Sequence, residues 1–422
     1  MVERMELPVV ACALLSAIAL PMFAADWSNW RGPDGLGVSP DTGFPLEWSR
    51  SKNVAWTATV PGKGSSSPVV VGDRVYVTAQ TEDTGMHMIA LDRKTGAVVW
   101  DREVAKGRAK AHQLHNMATP TVVADPRHVW ALFGTGDLAC ADRDGKIVWQ
   151  RNLGKEYGAY NANHGYGSSP MLLDGRLYVA WMHQGPSYLL AVDASTGKDV
   201  WKKDRDLGAK DEAKDSYSSP LLLRAGGRTE VVLAGAGAVD AYDPATGAQR
   251  WLAKGFEVPH PYGRTIAGAT AGEGLVVAVA SGFQNRGRTV ALRAGGEGDV
   301  TTSHRAWTFD KFSPDCPTPV IHRGLLFTIR DDGMASCVDL KTGEPHWQER
   351  LFTENVKVSP VAAAGRIYFT SGQGNCAVVK AAAKFEVLAR NERGEETLST
   401  PALSAGRIYL RTVAGVACIA QK

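Results

Sequence analysis

One short pattern, Asp-x-x-Thr-Gly-x-x-x-Trp, recurs along this chain and limits what it can fold into. It occurs in the stretches IALDRKTGAVVW (89–100), AVDASTGKDVW (191–201), DAYDPATGAQRW (240–251) and CVDLKTGEPHW (337–347). The aspartate can accept hydrogen bonds from the backbone two residues on, and the glycine supplies the positive φ that closes a tight turn. Each copy therefore predicts a hairpin turn that leads into a strand carrying a large packing anchor.

A second pattern marks the start of each repeat. It consists of Ser/Thr-Pro, a short apolar run and Gly-x-x-Tyr, as in SSPMLLDGRLYVA (168–180). The proline position recurs eight times, at Pro68, Pro120, Pro170, Pro220, Ala269, Pro319, Pro360 and Pro401. Each copy predicts four antiparallel strands, and such units hide both of their faces only by stacking into a ring. We therefore predict an all-β, eight-bladed β-propeller over residues 53–422, with seven blades as the alternative.

The two ends of the predicted ring complement each other. The last repeat (406–422) has enough residues for three strands, and a candidate for the missing strand, NVAWTATV (53–60), stands at the other end of the chain. We expect this N-terminal strand to close the last blade. The anchors expected on the outer strands are Trp56, Trp100, Trp149, Trp201, Trp251, Trp307 and Trp347, with Leu388 in the remaining blade.

Two segments precede the propeller. Residues 1–25 contain Arg4, an apolar run and small terminal residues, which is typical of a secretory signal peptide cleaved after Ala24 or Ala25. A retained membrane anchor is the alternative. We expect an exported protein of the periplasm or the extracellular space, without a transmembrane segment after cleavage. Residues 26–52 are rich in Gly, Pro and Trp and should pack as an extended arm across the propeller.

The composition bears on partners and on redox chemistry. The chain has 47 Lys and Arg against 44 Asp and Glu, without a basic block, so we expect no nucleic-acid partner. Five cysteines lie beyond the leader and form no CxxC pair, so we interpret them as small buried apolar residues, although a disulfide among them stays open. They are Cys140, Cys316, Cys337, Cys376 and Cys418. We expect a monomer.

A polar residue stands a few positions before the proline position in every repeat. These loops should gather at one end of the channel, where a ring of mixed charge would suit a ligand or a peptide. The residues are Lys63, His115, His164, Asp215, Arg264, Asp315, Lys357 and Glu396. The loops after the second strands add 183–188, 282–287, Arg330, Asp331 and Arg411. The alternative is that these are ordinary polar loop residues, with Arg330 and Asp331 forming a local salt bridge.

The sequence gives little support for a metal or a catalytic nucleophile. His112 and His115 lie three residues apart, with His164 one blade further on, but no helix fixes their geometry. We therefore predict no metal site. The Ser-Ser pairs before the prolines belong to the repeat and are interpreted as strand-entry residues. No catalytic residue is predicted.

The Asp-x-x-Thr-Gly-x-x-x-Trp repeat resembles that of the quinoprotein propellers. In that family, eight such blades bind pyrroloquinoline quinone (PQQ) with Ca²⁺ in alcohol and sugar dehydrogenases. BamB, a lipoprotein of the outer-membrane β-barrel assembly machinery, shares the repeat without the cofactor. Four stretches resemble a third group, exported bacterial PQQ-like propellers with no established activity: 29–48, 135–149, 295–307 and 378–395.

The chain departs from the pattern of the dehydrogenases. It has no Cys-Cys for a vicinal disulfide, no CxxCH for a haem and no local motif for the Glu, Asn and Asp that hold Ca²⁺ there. The resemblance therefore favours a non-catalytic binding or scaffold protein without a cofactor. Its expected partner is an envelope protein, a peptide or a glycan, bound at the channel face or a blade edge. The alternative is a PQQ-dependent alcohol or sugar dehydrogenase with PQQ and Ca²⁺ in the channel.

Overall fold

The computed structural model describes residues 26–258, 260–281, 287–310, 313–413 and 415–421. The chain forms eight sheets around a central channel, each built on four antiparallel strands. The prediction of an eight-bladed β-propeller is confirmed, and the seven-bladed alternative is wrong. The predicted signal peptide, 1–25, lies outside the described residues.

The blades follow one another along the chain, and each begins at the channel. From the channel outwards, the strands of blades 1 to 4 are Val69–Val71, Arg74–Gln80, Gly85–Asp92 and Val98–Lys106; Val123–Ala124, His128–Leu132, Asp137–Asp142 and Ile147–Asn152; Met171–Leu173, Arg176–Trp181, Tyr188–Asp193 and Asp199–Asp204; Leu221–Ala225, Arg228–Gly235, Ala238–Tyr242 and Gln249–Lys254.

The remaining blades have the same order of strands. Those of blades 5 to 8 are Thr270–Gly272, Leu275–Ala280, Arg288–Arg293 and Arg305–Phe309; Val320–His322, Leu325–Ile329, Met334–Asp339 and Pro345–Arg350; Val361–Ala363, Arg366–Thr370, Cys376–Lys380 and Val387–Asn391; Ala402–Ser404, Arg407–Thr412, Gly415–Ile419 and Val54–Thr59. Two short strands, Val38–Ser39 and Gly298–Asp299, add to the edges of blades 7 and 4. The α-helix Leu153–Tyr157 and the 3₁₀ turn Asp211–Lys214 lie in connections.

The Asp-x-x-Thr-Gly segments form hairpin turns between the third and fourth strands. In blade 1, Asp92 Oδ1 accepts hydrogen bonds from the backbone N–H of Thr95 and from its hydroxyl, both at 2.8 Å. Gly96 follows with a φ of +78°, which favours glycine. The predicted turn chemistry is confirmed.

In six of the described blades, the tryptophan of the outer strand packs against the turn of the next blade. Trp201 Nε1 donates a hydrogen bond to Pro244 O at 3.2 Å. A Cβ placed on Gly247 would lie 2.6 Å from Trp201 Cε3, so the absence of a side chain makes room for the ring. The same indole-to-carbonyl bond joins Trp56 to Arg93, Trp100 to Arg143, Trp149 to Ala194, Trp307 to Leu340 and Trp347 to Ala382.

The contact between blades 4 and 5 is different because blade 5 lacks the turn motif. Trp251 Nε1 donates instead to Glu230 Oε2 of its own blade, at 2.8 Å. The segment GGEGD (295–299) provides Gly298–Asp299, which pairs in parallel with Trp251 and Leu252. In most other blades, the turn of the next blade lies against the indole. Beside Trp251, the fifth strand of blade 4 takes that position.

The N-terminal strand closes the ring as predicted. Val54–Thr59 pairs antiparallel with Gly415–Ile419. The buried apolar cluster around it includes Val75 of blade 1, Tyr368 of blade 7 and Tyr409 of blade 8. Both ends of the chain are therefore held in one sheet, whose core is continuous with the blades on either side.

Residues 26–52 extend across the propeller at the C-terminal ends of the inner strands. Trp27 pairs with Val70 of blade 1, and Asn29 Oδ1 accepts a hydrogen bond from Leu172 N of blade 3 at 3.0 Å. The short strand Val38–Ser39 then pairs in parallel with blade 7. The arm covers this end of the channel, while the domain boundaries at residues 25 and 52 stay predictions.

Arg31 lies at the centre of this covered end and is fully buried. Its guanidinium donates to four carbonyl oxygens, those of Leu36, Thr318, Pro319 and Pro360, at 2.7–3.1 Å. Burial lowers its pKa to about 9, which leaves the group charged at neutral pH. The arm is therefore fixed to blades 6 and 7 by a charged group whose two terminal nitrogens donate to backbone carbonyls, while its Nε has no partner among the described residues.

No helix within the described ranges is long and apolar enough to cross a bilayer.

Candidate functional site

A cavity of about 280 Å³ lies at the channel end opposite the arm, where the inner strands begin. All eight blades contribute a loop residue to its wall. Apolar side chains, those of Leu114, Ile266 and Leu398, stand there beside histidine and charged residues. We call this space the channel-mouth cavity. Because the arm covers the other end of the channel, a ligand would reach this cavity from one side.

Three histidines form one side of the channel-mouth cavity. The rings of His112 and His164 lie 5.3 Å apart and nearly perpendicular, and those of His112 and His115 lie 6.4 Å apart. Burial lowers the pKa of both His112 and His115, and for His112 the nearby cationic groups add to the effect. These two imidazoles are therefore neutral at pH 7 and give this side of the cavity a polar but uncharged surface.

Glu212 connects the histidines with the charged side of the cavity. It lies in the 3₁₀ turn Asp211–Lys214, is almost fully buried, and contacts His164 Nε2 at 3.1 Å and Arg264 Nε at 3.5 Å. Arg264 Nη2 also lies 3.7 Å from Asp315 Oδ2. Burial raises the pKa of Asp315, with repulsion from Asp331 as a second cause. Arg264 thus stands between two carboxylates.

Asp331 holds together the loops that precede blades 6 and 7. Its Oδ2 accepts hydrogen bonds from the backbone N–H of Asp315 at 2.8 Å and of Cys316 at 3.3 Å, and its Oδ1 accepts from Lys357 Nζ at 2.5 Å. Burial opposes the charge on Lys357, but attraction to the Asp331 carboxylate and the hydrogen bond to it outweigh this effect and raise the pKa of the lysine. Burial also raises the pKa of the Cys316 thiol well above its usual range.

Donor atoms of Asp315, Cys316 and Asp331 lie within 4.8 Å of one another. Both carboxylate oxygens of Asp331 already accept hydrogen bonds, Oδ1 from Lys357 and Oδ2 from two backbone amides. We therefore interpret this group as a structural junction between loops.

Five residues predicted from the sequence line the channel-mouth cavity together. They are His115, His164, Arg264, Asp315 and Lys357. Asp331 lies behind Lys357 as its ion-pair partner. A ligand-binding role for all of these residues stays a prediction.

The other predicted residues lie around the cavity or are turned away from it. Lys63, Glu396 and Arg411 line an adjoining cavity of about 290 Å³ between blades 8 and 1. Asp215 is fully buried, where its Oδ2 accepts a hydrogen bond from the backbone N–H of Asn163 at 2.9 Å.

Two predicted loops have local rather than cavity contacts. Arg330 forms its ion pair with Asp332 and not with the adjacent Asp331. In the 183–188 loop, His183 is buried and accepts a hydrogen bond from Asn161 N at 3.0 Å. Of the other loop, 282–287, residues 282–286 lie outside the described residues.

Sequence reasoning missed several residues that shape the cavity. Leu114, Ile266 and Leu398 supply its apolar wall, and Glu212 supplies a buried carboxylate. The apolar residues are ordinary in a loop, and Glu212 does not occupy a repeat position. An apolar residue among polar loop residues, as Leu114 is among His112 to Asn116, is the one signal that could have indicated a binding surface.

PQQ, the cofactor that the fold family implies, is a planar tricarboxylate. The groups around the cavity comprise two cations, Arg264 and Lys357, and three carboxylates, those of Glu212, Asp315 and Asp331. Each cation is already paired with a carboxylate. A further trianion would therefore meet acidic groups without an unpaired cation in this cavity. The described protein groups of this cavity therefore offer no unpaired charge that would complement PQQ itself.

The described fold and site define an eight-bladed propeller of the PQQ-like repeat class. The chain belongs to the family described as outer membrane protein assembly factor BamB, whose sequence profile matches residues 46–165 and 134–373.

Two relatives illustrate the range of this class. BamB of Alkalilimnicola ehrlichii is 31% identical over 166 residues, which cover 38% of each chain. A polyvinylalcohol dehydrogenase of a Pseudomonas species is 25% identical over 194 residues, covering 42% of this chain and 28% of the relative. The chain thus matches well under half of the length of these relatives.

Solved structures share the fold at low sequence identity. BamB from Moraxella catarrhalis has a TM-score of 0.57 and 16% identity, covering 82% of this chain and 96% of that chain. Quinohemoprotein alcohol dehydrogenase from Comamonas testosteroni has a TM-score of 0.65 and 13% identity, covering 94% and 81%. At such identities the likeness concerns the fold alone, which unrelated functions share.

Proposed function

We propose that this protein is a non-catalytic binding protein of the bacterial cell envelope that holds a segment of an envelope protein at its channel mouth. The channel-mouth cavity carries this proposal, because its apolar side chains stand among charged groups that already pair with one another. Such a surface offers apolar contact inside and a polar rim around it, as binding sites for peptides do. The family membership supports an envelope partner, since its name describes an assembly factor of the outer membrane.

The chemistry of the cavity favours binding over catalysis. A nucleophilic mechanism needs a hydroxyl or thiol hydrogen-bonded to a base. In the described part of the cavity, Ser65 Oγ lies 3.4 Å from Thr119 Oγ1, and the histidine rings contact each other or Glu212. The raised pKa of the Cys316 thiol keeps it protonated. These groups hold the loops in place and are poorly arranged to react.

Site-specific photo-cross-linking in the envelope tests the proposal. A photoreactive amino acid replaces Leu114 at the cavity, and the matched control replaces Val200 on the outer strand of blade 3. Both side chains are similarly exposed, at 40% and 41%. We expect a discrete adduct with an envelope protein from position 114 only, identified by mass spectrometry. The same adducts from both positions, or a glycan adduct at 114, would contradict the proposal.

A titration with PQQ and Ca²⁺ tests the alternative, a PQQ-dependent alcohol or sugar dehydrogenase. The absorbance of bound cofactor and dye-linked oxidation of alcohols and sugars are followed with the purified mature protein. The charge of the cavity predicts no saturable binding. Saturable binding with turnover would replace the binding-protein proposal by the dehydrogenase.

A further inference from the structure

Among the residues that the structure describes, four arginine side chains are fully buried, and they differ in what surrounds their charge. They are Arg31, Arg205, Arg393 and Arg411. A buried guanidinium stays charged at neutral pH and is costly unless charges or hydrogen bonds compensate it. The partners of these four groups therefore show where a compensating anion is missing.

Three of the four arginines are compensated within the protein. Arg205 forms a buried ion pair with Asp240, with nitrogen-to-oxygen distances of 2.8–3.2 Å. Arg393 pairs with Glu395 at 3.1 Å. Arg31 lacks a carboxylate but donates to four carbonyl oxygens, as described above.

Arg411 is compensated far less. It lies on the second strand of blade 8, with 1% of its surface exposed, and its two hydrogen bonds both use Nη1, to Thr78 O at 2.6 Å and Ser66 Oγ at 3.2 Å. Its Nε has no hydrogen-bond partner. No carboxylate of the described ranges forms an ion pair with it, and burial alone lowers its pKa to about 10.

The uncompensated side of Arg411 borders a cavity. The cavity of about 290 Å³ between blades 8 and 1, here called the Arg411 cavity, is also lined by Gly64, Leu114 and Leu398 and by the charged residues Lys63 and Glu396. A Cβ on Gly64 would lie 3.0 Å from Arg411 Nη2, so a side chain at this position would crowd the guanidinium. The Arg411 cavity shares Leu114 and Leu398 with the channel-mouth cavity. The two spaces therefore adjoin along an apolar wall.

We propose that Arg411 binds a carboxylate of the ligand through its Nη2, while an adjacent aliphatic group of the ligand packs on Leu114 and Leu398. A carboxylate oxygen accepts a charge-assisted hydrogen bond from a guanidinium N–H group. The ligand class is a peptide with a carboxylate next to an apolar side chain. This inference rests on the proposed function, because it names the chemistry by which that site would recognise its peptide.

Anion-dependent thermal stability of the purified mature protein tests the carboxylate site. Sodium acetate and sodium benzoate are compared with sodium chloride and phosphate at constant ionic strength. We expect saturating acetate to raise the Tm of the wild type by about 3 °C. Arg411→Met should lose this response. The matched control Arg330→Met removes an arginine that is paired with Asp332 and does not line either cavity, so it should respond like the wild type.

Two results would overturn the carboxylate site. One is an acetate response that is equal in Arg411→Met and the wild type, and the other is an equal response to chloride. If Arg411→Met fails to fold, the wild type provides the readout by NMR. Acetate should then shift one arginine Nε–H resonance, which is assigned by its loss in Arg411→Lys. The absence of any shifted resonance overturns the proposal.

Short peptides then distinguish the source of the carboxylate. The probes are N-acetyl-Ala-Leu with a free C-terminus, its C-terminal amide, and N-acetyl-Asp-Leu-amide. Binding lost on amidation assigns a C-terminal carboxylate, and binding of the aspartyl amide assigns a side chain. Acetate binding without binding of either carboxylate peptide overturns the peptide assignment. Cross-linking at Leu114 measures partner binding independently of the acetate experiments. A specific adduct at position 114 without an acetate response would therefore refute the carboxylate site and still support the proposed function.

Discussion

The indole ring of Trp56 lies against Gly96 of the next blade, and its Nε1 donates a hydrogen bond to Arg93 O at 3.0 Å. Trp56 stands on the N-terminal strand that completes blade 8, so this contact joins the last blade to the first. A Cβ on Gly96 would lie 2.6 Å from Trp56 Cε3. The ring therefore closes through a contact that requires glycine.

We expect Gly96→Ala to lower the free energy of unfolding by about 2–3 kcal/mol, because it adds a steric clash to an unfavourable positive φ. Gly72→Ala is the matched control. Its φ is also positive, at +57°, but nothing lies within 4 Å of the added Cβ. The control should cost only about 1 kcal/mol. Urea unfolding of the two variants measures the difference, and equal losses would show that the contact with Trp56 contributes nothing.

The N-terminal strand should be necessary for a closed ring. A chain that begins at residue 61 lacks both Val54–Thr59 and the arm, so blade 8 keeps three strands and an uncovered edge. We expect this truncated chain to aggregate or to lose its cooperative thermal transition, whereas a chain that begins at residue 26 should melt cooperatively. Circular dichroism and size-exclusion chromatography measure this. A soluble, cooperatively melting truncation would count against the closure.

The ion pair between Lys357 and Asp331 should show coupling in a double-mutant cycle. The side chains are 23% and 18% exposed, so the solvent partly screens their interaction. We expect a coupling free energy of about 1–2 kcal/mol between Lys357→Met and Asp331→Asn, measured by denaturant unfolding. Arg330→Met with Asp331→Asn is the control cycle, since Arg330 pairs with Asp332, and it should show weaker coupling. Additive effects in the first cycle would refute the pairing.

The two histidines with lowered pKa values should make stability depend on pH. Below the ordinary histidine pKa of 6.5, the unfolded chain binds protons that His112 and His115 resist in the folded protein. Their contribution to stability is therefore complete above pH 6.5 and declines as the pH falls below it.

We expect the double variant His112→Gln/His115→Gln to show a flatter dependence of the unfolding free energy on pH between pH 7 and pH 5. Urea unfolding at a series of pH values measures this slope. The control His346→Gln changes an exposed histidine of blade 6 and should keep the slope of the wild type. A double variant whose curve runs parallel to that of the wild type would contradict the assignment.

The blades could be predicted from the sequence because their determinants are local. The turn in blade 1 depends on hydrogen bonds between Asp92 and Thr95, three residues apart. The tryptophan follows four residues after the glycine, so turn and anchor appear together in one short pattern. What the pattern could not show is that the tryptophan packs on the glycine of the next blade, as it does for Trp56, Trp100, Trp149, Trp201 and Trp307. Blade 5, which lacks the motif, replaces that contact with a strand that no local signal indicated.

The binding surface was only partly predictable because its residues come from loops far apart in the chain. Residues selected by their position in the repeat, among them His164, Arg264 and Lys357, line one cavity. The same rule also selected Asp215, whose carboxylate is buried by neighbouring loops. The position of a residue in the repeat determines where its backbone lies in the propeller. The orientation of its side chain depends on contacts with the neighbouring blade, as the bond between Asp215 and Asn163 illustrates.

The sequence by itself determined the number of blades, the turns and the strand that closes the ring, since these depend on short-range hydrogen bonds and on a repeated pattern. Only the tertiary structure decided how the buried charges are compensated. Arg31 and Arg411 are both arginines without a carboxylate partner, yet both terminal nitrogens of Arg31 donate to carbonyl groups, three of them from blades 6 and 7, whereas Arg411 borders a cavity. Compensation depends on atoms hundreds of residues away, which no local pattern encodes.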